Sequence, residues 1–189
     1  AAVVVNDLGA ALDGSGRDES RGRAVVEEIE KAGGRAAAHF GDVADWGYAE
    51  SLVQGAVKTF GDLHILVNNA GFTRDATLFN MSEDEWDSVM QVHLKGTFAP
   101  TRHAAAYWRE KSKEIGGPVK GAVINTSSTS GIYANPGQIN YGPAKSASVT
   151  FSQIAAKELA KYGVVSNCVV PGARTRLTLA SPGLPEIME

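Results

Sequence analysis

Short apolar runs alternate along this chain with longer stretches of mixed apolar and charged residues, and the alternation predicts its elements. Residues 1–6 (AAVVVN) form a β-branched run of the kind a strand buried on both faces needs. Residues 8–18 are rich in glycine, aspartate and serine and predict a loop. Across 19–32, Val25, Val26 and Ile29 recur at helical spacing on a charged background, and Gly33-Gly34 stops the helix. Residues 35–40 read as a strand and 45–60 as a helix, with Asp45 as its N-cap. A strand at 63–67 precedes one long helix from 83 to about 115, where Ser82 and Glu85 have the spacing of a capping box. Strand, helix and strand follow at 119–126, 141–161 and 164–170. Five strands separated by helices predict parallel β-α-β units, an α/β fold with a doubly wound parallel sheet. There is no repeat, linker or low-complexity tract, so residues 1–189 read as a single domain.

Composition narrows the partners. A net charge of −3 and a pI near 5.8 leave no basic footprint for nucleic acid. No apolar run approaches the ~18–20 residues of a membrane span, and no secretory leader is evident, so no membrane partner is expected. The single cysteine, Cys168, sits in an apolar run; with no disulfide framework, a reducing, cytoplasmic location is expected. The four histidines lack ligand spacing, and no metal is expected.

The candidate chemistry lies in the stretch I-N-T-S-S-T-S-G-I-Y-A-N-P-G-Q-I-N-Y-G-P-A-K, which ends on Tyr141 and Lys145. Residues four apart share one face of a helix, one turn apart. A phenol titrates near pH ~10, too high for acid–base work at neutral pH, and a nearby ammonium favours the phenolate. Ser128, at the end of the preceding strand, could hydrogen-bond a carbonyl or carbinol oxygen while Tyr141 moves the proton. Such a site interconverts an alcohol and a ketone. A lone Y-x-x-x-K is a weak signal, and its bland reading is an exposed helix start.

Four segments in fixed order strengthen it: V-V-V-N-D at 3–7, G-D-V at 41–43, N-N-A-G at 68–71, and S-x12-Y-x-x-x-K followed by P-G at 171–172. Together they resemble the short-chain dehydrogenase/reductases over nearly the whole chain. The resemblance implies a Rossmann-like sheet and an NAD(P)-dependent oxidoreductase with a small-molecule alcohol or ketone substrate. Tyr141 would be its acid–base, Lys145 would lower the Tyr141 pKa and grip the nicotinamide ribose, and Ser128 would hold the substrate oxygen. Asp7 would read the adenosine ribose; a carboxylate there repels a 2′-phosphate, which favours NAD over NADP. Asp42 and Val43 would flank adenine, Asn69, Ala70, Gly71 and Thr126 would line the cofactor, and Pro171-Gly172 would pass the nicotinamide. The bland readings are an aspartate starting a turn at 7 and an ordinary strand end at 42–43. The family also pairs the helices matching 83–115 and 141–161 across a two-fold axis, so a homodimer or homotetramer is expected.

Two departures stand out. The family opens with a strand and the turn T-G-x-x-x-G-x-G, and the first strand here matches its second. The glycines at 9, 14 and 16 lack the required spacing. An upstream strand with that turn is therefore expected in the natural protein, and a further helix and strand beyond the C-terminal end. A substrate loop would begin near Arg174. The other departure is His93, in V-H-L-K-G, where the family usually has an asparagine of the catalytic set that holds a water on the lysine. His93 joins the candidate site on that position, with His93→Asn expected to cost little; its bland reading is a packed helix histidine. The wording N-D-L-G, V-H-L-K-G-T-F and S-G-I-Y-A-N-x-G-Q is similar to a subgroup of (3R)-hydroxyacyl-CoA dehydrogenases, which suggests a 3-hydroxyacyl thioester or a steroid-like alcohol. Two alternatives remain: a non-catalytic nucleotide-binding or assembly protein on the same fold, and an epimerase or dehydratase.

Overall fold

The computed structural model describes residues 1–173, and the substrate loop expected near Arg174 lies outside them. The elements follow the hydrophobic pattern closely: β1 (Ala2–Asn6), α1 (Ser20–Lys31), β2 (Arg35–His39), α2 (Trp46–Phe60) and β3 (Ile65–Asn68). After α3 (Glu83–Met90) and α4 (Gly96–Glu114) come β4 (Gly121–Thr126), α5 (Ser130–Tyr133), α6 (Tyr141–Leu159) and β5 (Val164–Val169). The caps act as their spacing predicts. Asp45 accepts from Tyr48 N at 2.6 Å, and Ser82 with Glu85 forms a complete capping box.

The long helix predicted over 83–115 is not uniform. A π-helical turn at Gln91–Lys95 separates α3 from α4, and Pro100 sits inside α4 with no N–H for the Gly96 carbonyl. The hydrophobic pattern over 83–115 was read as one regular helix and did not separate out this π turn. The single turn of α5 is likewise absent from the pattern.

The sheet is interrupted between β1 and β3, where the resemblance implied a further strand. All pairs are parallel, but they form two sheets, β1-β2 and β3-β4-β5. β1 and β3 are not hydrogen-bonded to each other. In the three-stranded sheet Val123 and Val164 pack with Val53, Ala104, Trp108, Ala155 and Leu159 into the core, against which Leu66 lies half-buried. Trp108, 1% exposed, donates its indole N–H to Leu63 O at 2.6 Å. Fully burying each Val or Leu stabilises by about 1.5–3 kcal/mol. The opposite face carries Ile65, Val67 and Val165 at 56–57% exposure. In β1, the strand expected to be buried on both faces, Val3 is 38% exposed and Ala2, Val4 and Val5 are half-buried. α2 packs on α4, so the helices bridge the two sheets.

Candidate active site

Parallel strands bring their carboxyl ends together, and there the candidate residues gather. Asp7 follows β1, Asp42 and Val43 follow β2, Asn69, Ala70 and Gly71 follow β3, Thr126 ends β4, and Pro171-Gly172 follow β5. The loop after β1 meets the segment after β3: Arg74 Nε donates to Asp13 O at 2.8 Å, and Gly14 lies against the Phe72 ring.

α6 is aimed by its first turn. Asn140, fully buried, accepts Tyr141 N at its Oδ1 (2.7 Å) and donates its Nδ2 to the carbonyls of Arg74 (2.9 Å) and Glu85 (3.0 Å). Gln138 adds a bond to Asp75 at 3.0 Å. Sequence reasoning missed Asn140; an asparagine immediately before a helix start was the available signal. A buried polar chain sets α6 on the sheet behind it. Asn68 Nδ2 donates to Thr101 Oγ1 and Asn125 Oδ1, both at 2.8 Å, and Asn125 Nδ2 donates to Ser152 Oγ at 2.8 Å. Satisfied networks of this kind fix one packing arrangement.

Ser128, Tyr141 and Lys145 come together on this frame. The Ser128 hydroxyl lies close enough to the Tyr141 phenol to favour its ionised form, and it accepts Ser130 N at 3.2 Å. Lys145, 5% exposed, donates its Nζ to Thr126 O at 2.7 Å and lies 5.6 Å from the Tyr141 ring centroid. Ser127 Oγ donates to Lys145 O at 2.6 Å, which ties α6 to the end of β4. The spacing argument had Lys145 drawing the phenol down. Instead burial pushes Tyr141 above its ordinary value, Asp75 adds to the rise, and only the Ser128 bond opposes it. Burial wins because it disfavours the phenolate, and it lowers Lys145 as well, to about 8.

His93 is also in the site, 3% exposed, with its ring edge-on to Tyr141 at 5.1 Å. Its Nε2 lies 2.8 Å from Phe72 O, a donor's position, and its Nδ1 is buried without a partner in the protein. Burial, then the charge of Lys145, lower its pKa to about 4, so the ring is neutral near pH 7.

The cofactor candidates are less enclosed. Asp7 is exposed and caps its own turn, Oδ1 accepting Gly9 N at 2.7 Å. Asp42 Oδ1 accepts Ala44 N at 2.8 Å. Both carboxylates therefore do what the bland readings predict, and a one-residue turn bond leaves Asp7 room for a further acceptor role. Thr126 Oγ1 donates to Asn69 Oδ1 at 3.1 Å; Asn69, Ala70, Gly71, Pro171 and Gly172 are exposed. Arg21 is committed to Ala10 O at 2.7 Å. A nicotinamide dinucleotide fits this set: acidic groups after β1 and β2, small residues after β3 and β5, and a buried cation beside Tyr141. No cluster of three His, Cys, Asp or Glu side chains able to hold a metal occurs among the described residues.

The hydroxyacyl-CoA dehydrogenase ChsB1 of Mycobacterium tuberculosis is 47% identical over 179 residues, 94% of this chain and 55% of that protein. The peroxisomal hydratase-dehydrogenase-epimerase of Neurospora crassa is 40% identical over 94% of this chain and 19% of its own length. A crystal structure of a short chain dehydrogenase from Mycobacterium avium superposes with a TM-score of 0.82 at 50% identity, over 93% of this chain and 60% of that one. The chain thus spans about half the length of the mycobacterial relative. Residues 2–180 match the short chain dehydrogenases as a family, and with the parallel strands and the Ser128, Tyr141 and Lys145 grouping already described, the chain belongs to that family.

Proposed function

We propose that the full-length protein is an NAD(H)-dependent oxidoreductase that interconverts the secondary alcohol and ketone of a 3-hydroxyacyl thioester. The observation that carries this is the convergence of Ser128, Tyr141 and Lys145 in one buried corner. The hydroxyacyl-CoA dehydrogenase name of the mycobacterial relative supports the thioester over a steroid-like alcohol.

The nicotinamide supplies or takes the hydride when bound. Tyr141 gives its proton to the substrate oxygen in reduction and takes it in oxidation. The Ser128 hydroxyl, which accepts Ser130 N, donates its hydrogen to the same oxygen. Lys145 keeps a positive charge beside the phenol and has two N–H groups beyond the one on Thr126 O, suited to the cofactor ribose hydroxyls. In this reading β1 and β3 flank an upstream strand whose Gly-rich turn completes the cofactor cradle, since an unpaired buried sheet edge is costly.

Cofactor choice rests on Asp7. The intact enzyme is expected to prefer NAD, and Asp7→Ser to narrow the gap by raising kcat/KM for NADP. Steady-state kinetics with both cofactors checks this; a strong NADP preference in the unsubstituted enzyme would sink it. Assembly follows from the exposed apolar residues of α4 and α6, with Phe98 at 45% and Ile154 at 51% exposure. The full-length protein is expected to form a homodimer or homotetramer through these helices. Light scattering that finds a monomer would exclude this. No helix among the described residues is long and apolar enough to cross a membrane. The free Cys168 suits a reducing cytoplasm, and a proximity label confined to peroxisomes would contradict that placement.

A further inference from the structure

We infer that His93 is a positioning residue matched to Gly71: its imidazole fills the space a side chain at 71 would need, and it holds the 69–72 turn at a set distance from Tyr141. The inference rests on the proposed role of Tyr141. A Cβ built on Gly71 would overlap His93 Cε1, with Nδ1 at 3.0 Å and Nε2 at 3.1 Å. The ring cannot swing aside cheaply. It is 3% exposed, its Nε2 lies 2.8 Å from Phe72 O, and Tyr141 meets it at 89°. Its backbone is fixed too, in the π turn Gln91–Lys95, where Thr97 Oγ1 donates to His93 O at 2.8 Å. A π turn re-aims one side chain out of the helical register, which is why such turns gather at functional sites.

Two elements of the candidate site therefore meet on one ring. The Cε1 edge of the imidazole sets how near the turn after β3 can approach, and its contact with Tyr141 sets where the phenol stands. With Phe72 O at 2.8 Å and Phe72 N at 3.3 Å from it, Nε2 is held by the Phe72 backbone in either neutral tautomer. Asparagine is too short to keep both the Phe72 bond and the contact with Tyr141. This geometry reverses the expectation that His93→Asn costs little.

The test is a double-mutant cycle in the full-length protein with Gly71→Ala, His93→Ala and both together. NADH affinity is read by nicotinamide fluorescence, and kcat and KM across pH by steady-state assay. Gly71→Ala is expected to weaken NADH binding and to lower kcat/KM about 100-fold, the cost in rate of a displacement near 1 Å. The double variant is expected to bind NADH more tightly than Gly71→Ala alone, because the overlap is gone. His93→Asn should raise the cofactor KM and leave the pH profile of kcat where it was. Additive losses in the cycle, or a displaced pH profile with unchanged cofactor KM, would overturn the inference. If Gly71→Ala folds too poorly to titrate, the same cycle read in Tm carries the test, with rescue by His93→Ala expected. Binding needs no turnover, so an active Tyr141→Phe enzyme would end the catalytic reading without touching this result.

Discussion

Tyr141→Phe in the full-length enzyme is expected to lower kcat by about 10²–10⁴-fold in both directions while cofactor affinity and Tm stay close to those of the parent. The phenol is buried beside Ser128, and a phenylalanine ring keeps the contact with His93. Only the transferable proton is lost. Because burial holds Tyr141 above its ordinary pKa, the parent enzyme enters neutral solution with a protonated phenol. Reduction, which needs the acid, should run well at neutral pH, and oxidation should climb as pH rises. Steady-state rates in both directions with a 3-hydroxyacyl thioester pair check this. Turnover near that of the parent would place the chemistry elsewhere.

Lys145→Met should abolish turnover to a comparable degree and yet leave the fold as stable as before, or more so. Lys145 falls from 10.5 to about 8 in the folded chain. Between those values the unfolded chain holds a proton that the folded chain does not, so stability must rise with pH across that window. At neutral pH the buried ammonium costs folding on the order of 3 kcal/mol at most. Methionine removes that cost but leaves the Thr126 carbonyl without its donor, a loss of about 1–3 kcal/mol. Chemical denaturation at several pH values reads both effects. The variant should show a flatter slope between pH 8 and 10.5, where these values place the titration window. A large drop in Tm at neutral pH would mean that Lys145 is chiefly structural. The losses from Tyr141→Phe and Lys145→Met should not add in kcat, since the two residues act as one unit.

Periodicity, caps and turn residues carried most of the element order, because each depends on neighbours a few residues away. Asp45, Ser82 and Glu85 cap as their spacing predicted, and the five strands fall within two residues of their expected bounds at nearly every end. The order of short motifs was enough for the family, and the Y-x-x-x-K spacing was enough to put Tyr141 and Lys145 on one helix face. The two-sheet arrangement was only partly legible. Missing glycines at a required spacing pointed to a further upstream strand, but the exposed outer face of β3 and β5 appears only once the helices are in place.

What the tertiary structure alone decided depends on groups far apart in sequence. The direction of the Tyr141 shift follows from how deeply α6 is buried, a quantity that no local spacing contains. Asn140 reaches Arg74 and Glu85, more than fifty positions upstream, to set the first turn of α6. His93 looked like a substituted asparagine in the sequence. In space it is the ring that Gly71 leaves room for, because a π turn too short to mark the hydrophobic pattern points it at the segment after β3. Sequence marked the candidate residues; burial and long-range contact set the direction of their pKa shifts and where they stand.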